Sequence, residues 1–195
     1  MKLNAKRAVL EFTSIVVAVI LAMSLSELRQ NYLNEQLAKK TFKNIVLEVE
    51  HNEEQLKRDS AKIAKDLAFI QKWVEDVSED KKPETFSAGF SLSFLNSSAM
   101  EVAEINQSLA FLSMEQHMDL ADIYAAQDFY SEHGTKMFDI MGGFVGQMTE
   151  PNPKEVLPHV LTLRFHLRII YNTINAYLEQ SSTFLENYAT VLASD

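Results

Sequence analysis

One residue pair in this chain has the spacing of a metal-binding element. Glu48 and His51 form a Glu-x-x-His pair within a stretch that contains no proline and no glycine. Helical proteins that bind two iron ions use two such pairs and two further glutamates, all facing the centre of a bundle. No other histidine here follows a glutamate by three positions. We therefore interpret the pair as part of a solvated polar face and expect no metal site.

The other residues that could carry chemistry lack a partner pattern. His159 and His166 share a helix face at seven residues' spacing, which is too far for one metal ion without a third ligand. His117 and His133 have no local partner pattern. There is no Gly-x-Ser-x-Gly motif, and the glycines within residues 142–146 are not followed by Lys-Ser/Thr. We expect no catalytic residues, no cofactor and no enzymatic activity.

The elements that position these residues are predicted from apolar periodicity. A heptad stripe of Val49, Leu56, Ile63, Ile70 and Val77 indicates a long helix with one continuous apolar face. Ser98 with Glu101, and Ser113 with Gln116, are capping-box patterns that open two further helices. Gly134 is expected to end the second of them, because glycine is common just after a helix.

These signals together predict an all-α fold. The predicted elements are a long helix at about 29–78, a connector at 79–97, helices at about 98–112 and 114–133, a short helix at about 136–145 and a C-terminal helix at about 154–193. The last helix is long enough to run back along the first. We therefore predict an antiparallel helical bundle at residues 29–195.

The segment before the long helix is apolar enough to cross a membrane. Residues 12–26 carry no charge, and with their flanks they form an apolar segment at 8–28. About 21 helical residues span a hydrocarbon core of roughly 30 Å. A signal peptide cleaved near Ser24 is the alternative. Because helix formers continue past that site without glycine or proline, we predict an uncleaved transmembrane anchor at 1–28 that continues into the long helix.

Two further expectations concern the anchor. Ser14, Ala18, Ala22 and Ser26 recur every four residues, and such small-residue faces let two transmembrane helices approach closely. They are a candidate pairing face, although small residues are common in any apolar helix. The basic residues before the segment lie closer to it than those after it. This favours a cytoplasmic N-terminus and a domain outside the cytoplasm.

Charge and cysteine content exclude several classes of function. The chain has a net charge of −9 and no cysteine. Residues 83–195 hold 4 Lys/Arg against 14 Asp/Glu. This balance opposes binding to nucleic acid and to anionic lipid headgroups, which both need clustered cations. Disulfides and thiolate metal sites are excluded.

Three features carry a resemblance to a known family. They are the apolar anchor followed at once by the Glu-Leu-Arg-Gln-Asn turn at 27–31, the polar segment Glu48-Val-Glu-His-Asn52, and the stretch Ala99-Met-Glu-Val-Ala103 that leads to Ile123-Tyr-Ala-Ala-Gln127. Together they resemble uncharacterised bacterial single-pass membrane proteins with an N-terminal anchor and a helical extramembrane domain of unknown function. The resemblance implies this architecture and supplies no catalytic residue.

The expected function is that of a non-enzymatic interaction or structural component of the bacterial cell envelope, in the inner (plasma) membrane. Its expected partners are the lipid bilayer, through residues 8–28, and other membrane or envelope proteins, with a homo-oligomer as a further expectation. Three alternatives stay open: a ligand-sensing helical module, a secreted binding protein if the segment is cleaved, and an enzyme or metal protein centred on His51, His159 and His166.

Overall fold

The computed structural model describes residues 5–86, 92–144 and 152–192. These residues form helices and connecting turns without a β-strand, which confirms the all-α prediction. The elements are α1 (Ala5–Ser78), α2 (Ser98–Ile105), a 3₁₀ turn (Ser108–Phe111), α3 (Met114–Phe144), α4 (Pro153–Asn187) and α5 (Ala189–Leu192). Parts of the predicted elements, at residues 87–91, 145 and 193, lie outside the described residues, as does Gly146.

Helix α1 is unbroken over 74 residues and has two parts with different surroundings. From Val9 to Leu37 none of its side chains is buried. From Ala38 onward it forms one side of the core, and the predicted stripe from Val49 to Val77 is at most 4% exposed. The apolar helix therefore continues without a break into the long helix of the bundle, as predicted.

The other long helices pack against α1 in an antiparallel arrangement. Helix α4 runs back along α1, because Arg164 bonds Gln71 near the far end of α1 while Ser181 bonds Glu53 nearer its start. Helix α3 also lies against α4, antiparallel to it. The connector between α1 and α2, together with α2, lies between α1 and α3. The antiparallel bundle is confirmed, with this non-helical segment inserted in it.

The helix predicted at 98–112 is shorter than expected. Helix α2 ends at Ile105, and Gln107 adopts a left-handed backbone conformation with φ of 57°. The side chain of Asn106 accepts a hydrogen bond from the Ser108 amide, so it competes with the helix for that donor. The start also differs, because Ser97 rather than Ser98 is the N-cap residue. The Ser113 and Gln116 capping box is confirmed by reciprocal hydrogen bonds.

The break predicted at Gly134 is wrong. Helix α3 passes through Gly134 and continues to Phe144, so the separate helices at 114–133 and 136–145 are one element. No described glycine has a positive φ. A Cβ atom at Gly134 would lie 3.1 Å from Cδ1 of Leu92. The glycine serves close packing of the connector on α3 and does not end the helix.

The C-terminal helix also differs from its prediction. Helix α4 begins at Pro153, where the Asn152 side chain accepts a hydrogen bond from the Lys154 amide. It ends at Asn187 rather than near residue 193, and Tyr188 separates it from α5. Pro158 is the sixth residue of α4, beyond the first turn, so it leaves the Lys154 carbonyl without its donor in the helix.

Candidate functional site

The two members of the Glu-x-x-His pair do not face the same surroundings. The side chain of Glu48 is buried, whereas His51 is exposed and its ring lies 2.6 Å from the amide nitrogen of Gln55. Among the described residues no group of three or more histidine, aspartate or glutamate side chains could hold a metal ion. The interpretation as a solvated polar face holds for His51 and is wrong for Glu48.

Glu48 belongs to a polar cluster that sequence reasoning did not identify. We call it the connector clamp, because its side chains on α1 and α3 bind the backbone of the connector between them. Its members are Glu48, Asn52 and Asp59 on α1 and Tyr124, Gln127 and Tyr130 on α3. A non-helical segment does not pair its backbone polar groups within a helix, so those that face α1 and α3 require partners of this kind.

Asn52 is the centre of the clamp and is fully buried. Its side-chain oxygen accepts a hydrogen bond from the Asn96 amide at 2.9 Å, and its nitrogen donates to the Asn96 carbonyl at 2.8 Å. The same carbonyl accepts a second bond from Gln127 at 3.0 Å, and Gln127 accepts one from Asn52 at 3.2 Å. Both backbone polar groups of Asn96 are therefore satisfied by side chains from two helices.

Asp59 and Tyr130 hold a second point of the connector in the same way. The Asp59 carboxylate, 2% exposed as a residue, accepts a hydrogen bond from the Ser93 amide at 2.6 Å. The Tyr130 hydroxyl donates to the Ser93 carbonyl at 3.0 Å. Burial, and to a lesser extent the nearby Asp59 charge, raise the pKa of Tyr130, so its hydroxyl stays a donor.

Glu48 holds the start of α2. Its carboxylate accepts hydrogen bonds from the Ala99 amide at 2.8 Å and from the Ser98 hydroxyl at 3.4 Å. Its other oxygen accepts one from the Tyr124 hydroxyl at 2.6 Å. A carboxylate at a helix N-terminus satisfies a free amide and interacts favourably with the helix dipole. Burial first, and then this bond to Glu48, raise the pKa of Tyr124.

Tyr177 lies next to the clamp but differs from its tyrosines in the hydrogen bonding of its hydroxyl group. It is fully buried on α4, and its hydroxyl has no hydrogen-bond partner within the described residues. Asn52 lies near that hydroxyl, and its side-chain nitrogen donates instead to Asn96 and Gln127. Burial and the Glu48 and Glu53 charges raise the pKa of Tyr177, with Asn52 acting in the opposite direction.

The signal for the clamp was present in the sequence but ambiguous. Glu48, Asn52 and Asp59 are four and seven residues apart, which places them on one helix face beside the buried apolar stripe. Polar residues at that spacing usually mark solvent exposure. Their partners are backbone atoms of a segment some 35 to 50 residues away, and no local pattern identifies those.

The remaining histidines lie apart from this cluster. His117 and His133 both lie on α3. The Nδ1 atom of His117 contacts the carbonyl of Ser113, just before the helix, and that of His133 contacts the carbonyl of Phe129. His133 and His166 line opposite sides of a groove of about 380 Å³ between α3 and α4. The structure does not bring His51 together with His166, because His51 lies near the opposite end of the bundle.

A larger groove lies at the end of the bundle nearest the exposed part of α1. We call it the anchor-side groove; its volume is about 710 Å³. It is bounded by α1, the 3₁₀ turn, the start of α3 and α5. The lining residues are Glu35, Gln36, Ala38, Lys39, Lys40, Phe42, Lys43, Phe111, Leu112, Gln116, Thr190 and Val191.

The predicted pairing face lies on the exposed part of α1. Ser14, Ala18, Ala22 and Ser26 are all exposed, and the Ser14 hydroxyl donates to the Glu11 carbonyl. At about 100° per residue, the centre of this face lies roughly opposite Leu56 and the buried stripe around the helix axis. A second helix could therefore approach it without meeting the bundle on the same side of α1.

The apolar part of α1 is long enough to cross a membrane. Its most apolar 18-residue window has a mean hydropathy of 2.2, and none of that window is buried. By length and composition it qualifies as a membrane span, a property that signal sequences share.

Comparison with known proteins found no matching protein-family model, curated protein or solved structure.

Proposed function

We propose that this chain is a single-pass membrane protein whose helical bundle is a non-enzymatic interaction or structural component of a bacterial cell envelope. The observation that carries the proposal is the exposed apolar part of α1. Contiguous exposed apolar surface of this size is rare on proteins that stay in water. A bilayer accommodates this apolar surface in its hydrocarbon core. The helix can lie there because it satisfies its own backbone polar groups.

Helix continuity supports an anchor over a cleaved signal. Helix α1 shows no break between the apolar part and the bundle, and the site near Ser24 lies within it. The residues on the N-terminal side of the apolar part are basic and close to it. We therefore propose a cytoplasmic N-terminus and a bundle on the extracytoplasmic side of the inner membrane.

The use of the bundle's polar groups supports a binding or structural role. The buried carboxylates of Glu48 and Asp59 hold backbone amides of α2 and of the connector respectively, and Glu53 pairs with Lys57. These groups stabilise the bundle and are not directed into an open cavity. Envelope proteins, lipid and a second copy of the chain are the proposed partners.

The test is fractionation of the full-length protein with a C-terminal reporter that is active on only one side of the membrane. We expect a full-length, carbonate-resistant membrane protein with the reporter outside. Val17→Arg/Ile20→Arg should release it from the membrane, since each arginine costs about 2.5–3.5 kcal/mol at a span centre. Ala61→Arg/Ala64→Arg, at exposed positions of the bundle part of α1, is the matched control.

Other outcomes would change the proposal in defined ways. A soluble product shortened near Ser24 would show a secreted binding protein. A reporter active inside the cell would reverse the orientation. A thermal shift with a soluble metabolite would favour the ligand-sensing alternative, because a ligand that binds only the folded state stabilises it.

A further inference from the structure

We propose that the anchor-side groove binds the phosphate-bearing headgroup of an anionic membrane phospholipid. The inference rests on the proposed membrane anchoring and adds a specific lipid site to it. Three properties of the groove carry it: its height above the bilayer, its charge and its apolar floor.

The groove begins close to the expected membrane surface. Glu35, its lining residue nearest the N-terminus, follows Leu28 by seven residues, which is about 10 Å along a helix. The headgroup layer extends about 5–7 Å beyond the hydrocarbon core. Tyr32 lies between the two and is 61% exposed, in the position that interfacial aromatic residues favour. Lys39, the nearest of its lysines, follows Leu28 by eleven residues, or about 16 Å, and its long side chain can extend back toward the headgroups as interfacial lysines do.

The charge of the groove is opposite to that of the chain. Lys39, Lys40 and Lys43 line it against a single acidic residue, Glu35, although the chain as a whole carries −9. Lys39 and Lys40 are exposed and form no ion pair within the described residues. The lining of the groove is therefore basic, although the chain as a whole is acidic.

The floor of the groove suits an amphiphile better than a fully polar anion. Phe42 and Ala38 form part of it and are each 2% exposed, and Leu112 lines it from the end of the 3₁₀ turn. Phe111 lies at its rim and is 43% exposed. The side-chain amide of Gln116 adds hydrogen-bonding capacity. Cations beside an apolar surface match a phosphate joined to a glycerol and its first methylenes.

The test measures lipid binding by the full-length protein in a neutral detergent. Labelled phosphatidylglycerol is titrated in mixed micelles, with phosphatidylcholine as the uncharged reference and glycerol phosphate as a soluble competitor. The test variant is Lys39→Gln/Lys40→Gln. The matched control is Lys62→Gln/Lys65→Gln, which removes the same charge from exposed positions of α1 outside the groove.

We expect the wild type and the control to prefer phosphatidylglycerol. The test variant should lose about thirtyfold in that preference, the factor expected for two lysines at an anionic surface. Equal binding by both variants, or no preference in the wild type, would overturn the proposal. If glycerol phosphate binds but phosphatidylglycerol is not preferred over phosphatidylcholine, the groove is a site for a soluble anion instead. A protein that inserts in membranes but lacks the preference would overturn this inference only, whereas a soluble protein would overturn the proposed function.

Discussion

The Tyr124 hydroxyl donates a 2.6 Å hydrogen bond to the Glu48 carboxylate, and it is the contact that joins α3 to α1 at the start of α2. Hydrogen bonds to a charged group contribute about 1.5–3 kcal/mol. Tyr124→Phe should therefore lower the free energy of unfolding by about that amount, as measured by urea titration.

Tyr177→Phe is the matched control for that variant. Its hydroxyl is buried without a partner in the described part of the chain, so its removal leaves no group unsatisfied. The stability of Tyr177→Phe should equal or exceed that of the wild type. A loss as large as that of Tyr124→Phe would show that the Tyr177 hydroxyl has a bond that this structure does not contain.

Asn52→Leu should release the connector from the bundle. The change leaves the Asn96 amide without its partner and removes one of two bonds to the Asn96 carbonyl. We expect a loss of about 2–4 kcal/mol, the sum of such unsatisfied groups. Hydrogen exchange should accelerate at Ser93, Asn96 and Ala99. Asn44→Leu, at an exposed position of α1, should leave those rates unchanged.

Two glycines of α3 should respond differently to alanine. At Gly142 no atom lies within 4 Å of the added Cβ, so Gly142→Ala should stabilise by up to about 1 kcal/mol. At Gly134 the Cβ meets Leu92 at 3.1 Å. Gly134→Ala should gain less or lose stability, and Gly134→Val should be clearly destabilising in thermal unfolding. Equal gains from the two alanines would contradict the close packing at Gly134.

Stability should fall at alkaline pH. Burial raises the pKa of Tyr124, Tyr130, Tyr177 and Tyr188 in the folded state. A raised pKa means that the folded state holds the proton more tightly. Its contribution is complete below the unfolded pKa of about 10 and is lost as the pH rises above it. Urea midpoints from pH 8 to 11 should therefore decline above pH 10, and less steeply in Tyr124→Phe/Tyr177→Phe.

The proposed pairing face on the anchor predicts a specific loss of self-association. Ala18→Ile/Ala22→Ile enlarges the face and prevents close helix contact without reducing hydropathy. Energy transfer between labelled copies in bilayers should fall. Val9→Ile/Val16→Ile, on the opposite side of the same segment, should leave it unchanged. An unaffected signal in the first variant would remove this face from consideration.

An element is predictable from the sequence when the residues that determine it lie close to one another in the chain. The buried stripe from Val49 to Val77 is predictable because its period is local to one helix. Gly134 carries an ordinary helix-end signal, but the reason for the glycine is Leu92, which reaches it from the connector. The clamp is not predictable from the sequence for the same reason. Asn52 binds backbone atoms of Asn96, and every residue type has the same backbone carbonyl.

The unbroken course of α1 has a mechanical consequence. Residues 28–78 form a single helix about 75 Å long, and its far half is held in the bundle by α4. In the proposed membrane setting, a change of about 10° in the tilt of the anchor would carry the distal end of the bundle sideways by about 13 Å. Tilting is one way in which a spanning helix adapts to a bilayer of different thickness. The distance over which the bundle reaches its neighbours would then vary with the lipid composition beneath it.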